Sequence, residues 1–484
     1  MRSRKNRSQQ KTLSLFDEAD LAENRVQPEG MPGGPRVFPA QVEESTREIV
    51  VVAGLMEQVV ERRNMRAALE RVERNKGAAG VDGMTVKQLR PYLEEHWRSL
   101  KQSLLEGTYC PRAVKRVEIP KPDGGKRMLG IPTVLDRLIQ QAILQVLTPL
   151  FDPHFSPSSY GFRPKRRGHD AVRKAREFVR EGYAWVVDLD LEKFFDRVNH
   201  DMLMARVARR VGDKRVLGLI RRFLESGILL EGVHVRNEEG TPQGGPLSPL
   251  LANILLDDFD KELEKRGHRF VRYADDCNIH VRSKRSGERV RHGLTKFLQD
   301  RLRLKVNESK SAVDRPWKRK FLGFSLLTHQ RRLRLAPQTL KKVKDKIRSL
   351  TQRSAGKSMD ERIRALNQYL RGWLGYFALA ETPSVFERLD EWLRSRMRMC
   401  QWKCWKRVRT RVRELRALGL RELDVWEAAG SRKKYWRIAH SPPLHKAMGI
   451  AYWQKQGLLS LNDHYQRIRK AWGTAGRGPA CPVV

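Results

Sequence analysis

Apolar positions along the chain recur with two periods, and the switches between them outline its elements. From about Glu48 to Glu73 the pattern turns helical, with Val52, Leu55, Met56, Val59 and Val60 on one face. The stretch AAGVDGMT ends in a turn, and Thr85 can cap the helix VKQLRPYL. Over 112–132 the period drops to two: VKRVEI alternates, PDGG supplies a turn and KRMLGIP returns, which predicts a hairpin. Apolar helical patterns follow at 133–150 and 169–181, separated by the basic loop SSYGFRPKRRG. The run Ala184 to Val187 is short, β-branched and bounded by acids, so it predicts a buried strand. GTPQGG then feeds an amphipathic helix with Ser248 at its N-cap and Pro249 at N1, burying Leu251, Ile254, Leu255 and Phe259. RFVRYADDCNIHVR reads as strand, tight turn, strand; 293–304 as helix; and FLGFSLL as a further short strand. Beyond Arg331 helical patterns dominate, among them LRGWLGYF, whose Trp373, Tyr376 and Phe377 suit a helix core and an RNA-facing role alike. The polar, Gly- and Pro-rich residues 1–45 read as a disordered leader, and GTAGRGPACPVV as a frayed tail.

Charge narrows the class. Lys and Arg number 97 against 56 Asp and Glu, a net +41 over 484 residues. Self-repulsion of that size calls for a polyanionic partner, nucleic acid first and an anionic membrane surface second. Between Arg394 and Arg416 ten basic residues face one acid, Glu414, with Trp402 and Trp405 interleaved. Eleven Trp and 40% hydrophobic residues exclude a wholly disordered basic chain. The longest apolar stretch, Leu250 to Leu256, is interrupted by Asn253 and is too short to span a bilayer. No apolar segment follows the basic start, which argues against a secretory signal. Five scattered cysteines fit a reduced cytosolic compartment.

Two acidic motifs carry candidate chemistry. WVVDLDLEKFFD brings Asp188, Asp190 and Asp196, and YADD brings Asp275 and Asp276, each at or beside a short apolar strand. Adjacent carboxylates on a turn repel one another, and a divalent cation relieves that repulsion. Hard oxygen donors suit Mg²⁺, which completes its shell with water and substrate phosphate. Two such ions about 4 Å apart stabilise the attacking and leaving oxygens of an in-line phosphoryl transfer.

With these motifs in order the chain resembles a bacterial group II intron-encoded reverse transcriptase, or maturase, over about Val72 to Tyr465. AAGVDGMT is similar to that family's N-terminal extra block, and PKPDGGKRMLGIP and SSYGFRPKRRG to its two fingers blocks. VVDLDLEKFFDRVNHDML, TPQGGPLSPLLANILL and RYADD resemble the palm blocks, LRLKVNESKS and KFLGF the last polymerase blocks, and LRGWLGYF the thumb, or X, signature. The resemblance implies an α+β right-hand polymerase: fingers, then a palm with an antiparallel sheet, followed by an all-α thumb and a small basic C-terminal region. The expected boundaries are 1–45 for the leader, 46–182 for the N-terminal extension and fingers, 183–328 for the palm, 329–415 for the thumb and 416–484 for a DNA-binding region and tail.

By the same resemblance Asp190, Asp275 and Asp276 are the catalytic and metal-holding carboxylates for two Mg²⁺ ions, while Asp188 and Asp196 are structural. Phe195 matches the gate below the sugar 2′ position, where a ring would exclude a 2′-OH and select dNTP. Gln243 matches a contact to the incoming nucleotide; Lys121, Arg127 and Lys310 match basic residues around its triphosphate. The implied partners are the parent intron RNA, an RNA template–primer duplex and target DNA, with no membrane, in a bacterial cytoplasm as a nucleoid-associated ribonucleoprotein. Nothing resembling the family's H-N-H nuclease follows, which implies the branch that relies on pre-existing primers. The alternatives are a splicing-only RNA-binding maturase, which would be expected to lose its metal carboxylates, and a free-standing reverse transcriptase in repair or defence. An RNA-templated RNA polymerase is disfavoured by Phe195 and the YADD turn.

Overall fold

The computed structural model describes residues 54–120, 126–230, 233–235, 240, 244–328 and 331–474. In chain order they form α1 (Leu55–Val60), α2 (Arg62–Asn75), α3 (Val86–Leu105), β1 (Val114–Pro120), β2 (Lys126–Ile131), α4 (Val134–Phe151), α5 (Gly168–Arg180) and β3 (Trp185–Leu189). There follow α6 (His200–Val207), α7 (Lys214–Glu225), β4 (Ile228–Leu230), β5 (Val233–Val235), α8 (Ser248–Lys265), β6 (Arg269–Tyr273), β7 (Asp276–Val281), α9 (Lys284–Leu302) and β8 (Ala312–Asp314). The remainder is β9 (Phe324–Leu326), β10 (Leu333–Leu335), α10 (Pro337–Leu350), α11 (Met359–Phe377), α12 (Pro383–Cys404), α13 (Val408–Ala417), α14 (Glu422–Ala429), α15 (Tyr435–Ile438), α16 (Pro442–Ala447), α17 (Ile450–Lys455) and α18 (Leu461–Thr474). The chain divides into two compact units.

The first unit runs to Arg167 and resumes from Val187 to Val313. It holds two four-stranded sheets, one ordered β2-β1-β4-β5 and the other β6-β7-β3-β8. The predicted hairpin is β1–β2, paired antiparallel from Lys115↔Ile131 to Pro120↔Lys126. It is half of a mixed sheet, because β4 joins β1 in parallel, and neither β4 nor β5 was foreseen. The helical pattern predicted over 48–73 forms two helices within the described residues, broken at Glu61. α1 is tied to α7, where buried Asp213 caps the helix and accepts the Met56 N–H at 2.9 Å. Thr85 does open α3, with the Gln88 side chain reaching back to its N–H at 2.8 Å. Ser248, by contrast, is the first residue of α8 rather than its N-cap, which is Leu247.

The β6-β7-β3-β8 sheet has a helical side and an open side. Alternation sends Val187 and Val281 to the helical side, where α9 lies so close that a Cβ on Gly287 would come within 2.5 Å of Val313 and 3.3 Å of Val281. This explains why α9 begins nine residues before the predicted start: its first turns dock through a glycine and leave no apolar stripe to read.

The second unit comprises Gly168–Val186 and the chain from Asp314 onward. Within it α5 contributes Val172 and Val179 to a continuous apolar core shared by α10 to α18. In the LRGWLGYF helix, Leu370 and Leu374 are the buried residues, whereas Trp373, Tyr376 and Phe377 pack partly buried at its edge. The segment after Arg416 is built into the same core through Val425, Ile438, Leu444, Trp453 and Leu461. Buried Asp390 of α12 caps α18, accepting the N–H groups of Leu461 at 2.8 Å and Asn462 at 2.9 Å. No helix among the described residues is long and apolar enough to cross a membrane.

Candidate active site

The carboxylates gather on the open side of the β6-β7-β3-β8 sheet. Asn278 of β7 donates to Asp188 of β3 at 3.4 Å, so these two side chains share a face. Period-two alternation adds Asp190 and Asp276 to that face. Tyr273 joins them, because it stands directly opposite Asp276 in the β6–β7 ladder. Asp275 occupies the second position of the two-residue turn between those strands. Asp190 and Asp275 are half-buried and Asp276 is exposed.

The turn is held from behind. Its first residue, Ala274, has φ 58°, a left-handed conformation that tight hairpin turns require and that costs a non-glycine residue energy. Arg272, pointing to the helical side, donates to the Ala274 carbonyl at 2.9 Å. The same guanidinium grips Asp260 of α8 at 2.7 and 2.5 Å, Asn253 at 3.0 Å and the Ser159 hydroxyl at 2.8 Å, all in the interior. Burial would push the Arg272 guanidinium down, but the Asp260 carboxylate more than offsets it and leaves it above its ordinary value. The loop SSYGF flanks the turn as well. Tyr160 donates to the Arg272 carbonyl at 2.9 Å, and Arg272 donates to that of Ser158 at 2.9 Å. A Cβ on Gly161 would come within 2.3 Å of the Ala274 nitrogen. The loop and the turn are therefore in direct backbone contact.

On the other flank the backbone beyond β3 is anchored to the segment before β8. Asn307 donates to the Asp190 carbonyl at 2.8 Å, and the Ser311 hydroxyl accepts from the Asp190 N–H at 3.0 Å. This places the Lys310 ammonium 3.7 Å from an Asp190 carboxylate oxygen. Phe195 sits half-buried in a 3-10 turn (Phe194–Arg197), its ring 5.1 Å from that of Phe194 and edge-on to it. Gly240, with φ 95°, fits against this turn, where a Cβ would lie 2.9 Å from the Phe195 carbonyl. Gly244, with φ 134°, abuts Gly130 of β2 in the same way. Gln243 and Lys121 lie outside the described residues; Arg127 stands on β2 opposite Ile119, and its side chain lies outside them too.

The donor set here is carboxylate oxygen alone, which fits Mg²⁺ and not a soft metal. Among the described residues no three His, Cys, Asp or Glu side chains converge closely enough to hold an ion by themselves. A cation that draws the rest of its shell from water and substrate phosphate makes no such demand. Sequence reasoning missed Arg272, Asp260 and Asn253 as supports of the turn, and Gly161 as its neighbour. A charged pair in otherwise apolar segments was the available signal for the first two.

Comparison with known proteins matches two family profiles to the chain. The profile described as "Reverse transcriptase (RNA-dependent DNA polymerase)" matches residues 119–326, and that described as "Group II intron, maturase-specific domain" matches 340–419. The chain is 33% identical over 279 residues to Protein YkfC of Escherichia coli, an overlap of 49% of this chain and 73% of that protein. It is 30% identical over 326 residues to the group II intron-encoded protein LtrA of Lactococcus lactis, covering 54% of each. Among solved structures, a partial Cas6-RT-Cas1–Cas2 complex overlaps 51% of this chain and 42% of its own at 27% identity, with a TM-score of 0.34. The profile matches and the fold place the chain in the reverse transcriptase class. Within that class the chain belongs to the group II intron-encoded reverse transcriptase and maturase family, and it spans about half the length of LtrA.

Proposed function

We propose that the protein is an RNA-directed DNA polymerase that also binds its parent group II intron RNA, assists splicing, and copies the intron during retrohoming by target-primed reverse transcription. The observation that carries this reading is the shared strand face of Asp190 and Asp276, with Asp275 in the adjoining turn. These three carboxylates are the residues that would hold Mg²⁺, which when bound supplies charge stabilisation to a phosphoryl group in transfer. Lys310 beside Asp190 is suited to the triphosphate of an incoming dNTP, with Lys121, Arg127 and Gln243 assigned to the same substrate. Phe195, fixed by its neighbours, is assigned to exclude a 2′-OH. The +41 charge fits intron RNA, a template–primer duplex and target DNA as partners, in a cytoplasmic ribonucleoprotein. The maturase profile over 340–419 supports the intron reading over that of a free-standing enzyme.

Sequencing the RNA that co-purifies with the protein expressed from its native locus tests the intron half. One dominant structured RNA flanking the reading frame and lacking its exons is expected. A heterogeneous population would contradict the maturase reading and leave a free-standing reverse transcriptase. Extension of a DNA primer on an RNA template in Mg²⁺ tests the polymerase half, and no extension by intact protein would overturn it.

A further inference from the structure

We propose that Phe162 is a substrate-contacting residue on which the 3′-terminal nucleotide of the primer rests; the inference depends on the polymerase reading of the carboxylate face. Phe162 is 54% exposed, more than any other large apolar side chain described in the first unit. Its backbone is left-handed, φ 57°, which an aromatic residue adopts only at a cost. Its surroundings enforce that conformation. Before it, Gly161 is jammed against Ala274, and the Gly161 carbonyl accepts from Asn253 at 2.8 Å. After it, buried Arg163 donates to the Asp152 carboxylate at 2.7 Å and to the carbonyls of Asp152, Ser156 and Ser159 at 2.7, 2.6 and 3.1 Å. An apolar ring that is strained, exposed and rigidly held has already lost the entropy that binding would otherwise cost.

Its position says what it meets. The Phe162 ring lies 6.4 Å from that of Tyr273, on the carboxylate face. Across that face the order is Phe162 and Tyr273 at β6, Asp275 and Asp276 at the turn and β7, Asp190 after β3, then Lys310 before β8. The carboxylates thus separate a cationic end from an aromatic end. In an in-line transfer the pyrophosphate leaves on the side opposite the attacking 3′-hydroxyl. With the triphosphate at Lys310, the aromatic end faces the primer terminus. An apolar ring there supports any terminal base through its face, without reading sequence.

The test measures the dissociation constant of a primer–template duplex and the KM for dNTP in full-length protein. Phe162→Gly removes the ring while favouring the left-handed backbone, so it does not endanger the fold. It and Phe162→Ala should both weaken duplex binding about tenfold with the dNTP KM unchanged, and Phe162→Tyr should restore it. A primer ending in an abasic nucleotide should weaken the wild type similarly and Phe162→Gly little further, since two probes of one contact do not add. Duplex binding by Phe162→Gly within about twofold of wild type, a loss confined to the dNTP KM, or additive losses would each overturn the assignment. A wild type that extends no primer in the same assay would overturn the polymerase reading itself.

Discussion

Gly161 has no room for a side chain, and that single fact couples the SSYGF loop to the turn bearing Asp275. A methyl group would meet the Ala274 backbone nitrogen at 2.3 Å, where neither strand nor loop can give way cheaply. Gly161→Ala should therefore cost about 1–3 kcal/mol of stability. By displacing the turn it should also cut primer extension more than it cuts RNA binding. Thermal unfolding alongside both assays checks this; equal losses in extension and binding would contradict it. Phe195 is a second residue whose neighbours fix its position, and the proposed gate role depends on that. Gly240 packs against its carbonyl and Phe194 against its ring, so the side chain has little freedom to retreat from a bulky sugar. Phe195→Val should lower the preference for dNTP over rNTP by about 10- to 200-fold, the usual value of a lost steric contact in a pocket. An unchanged ratio in single-nucleotide incorporation would refute the gate.

At the scale of elements, the junction of α1 and α7 carries a pH dependence. Burial pushes the Asp213 carboxyl up, but Arg215 and the N–H groups of Met56 and Arg215 pull it down harder, from 3.8 to about 2. A depressed folded pKa means the stabilisation is present above about pH 4 and is lost as pH falls toward 2. Acid unfolding should shift to lower stability throughout in Asp213→Ala, with a shallower slope over that window; an unchanged slope would refute it. Elements were legible in the sequence where they bury a stripe of large residues: β1–β2, α4, β3, α8 and the β6–β7 hairpin all appear near their predicted positions. The start of α9 was not, because Gly287 makes its close approach to the sheet through the lack of a side chain. β4 and β5 are three residues each, too short for alternation to register. The candidate carboxylates were readable as acids beside apolar strands. Their supports were not, since Arg272 and Asp260 meet only once α8 is laid behind the sheet.

At the scale of the molecule, a net charge of +41 and a reverse transcriptase domain joined to a maturase-specific domain point to RNA as substrate and partner together. The helices after Arg416 share the apolar core of α11 and α12, so within the second unit that C-terminal region is part of one body rather than a detachable module. RNA affinity, spread over many basic residues, should then be insensitive to the loss of one carboxylate, whereas polymerisation should depend on it wholly.

That contrast gives the most direct measurement: RNA-templated primer extension by Asp275→Asn in Mg²⁺, with RNA affinity determined on the same preparation. Extension should fall about a thousandfold or more, the rate equivalent of losing several kcal/mol of metal stabilisation, while RNA affinity stays nearly unchanged. A variant that extends primers at the wild-type rate would contradict the assignment of the carboxylate face.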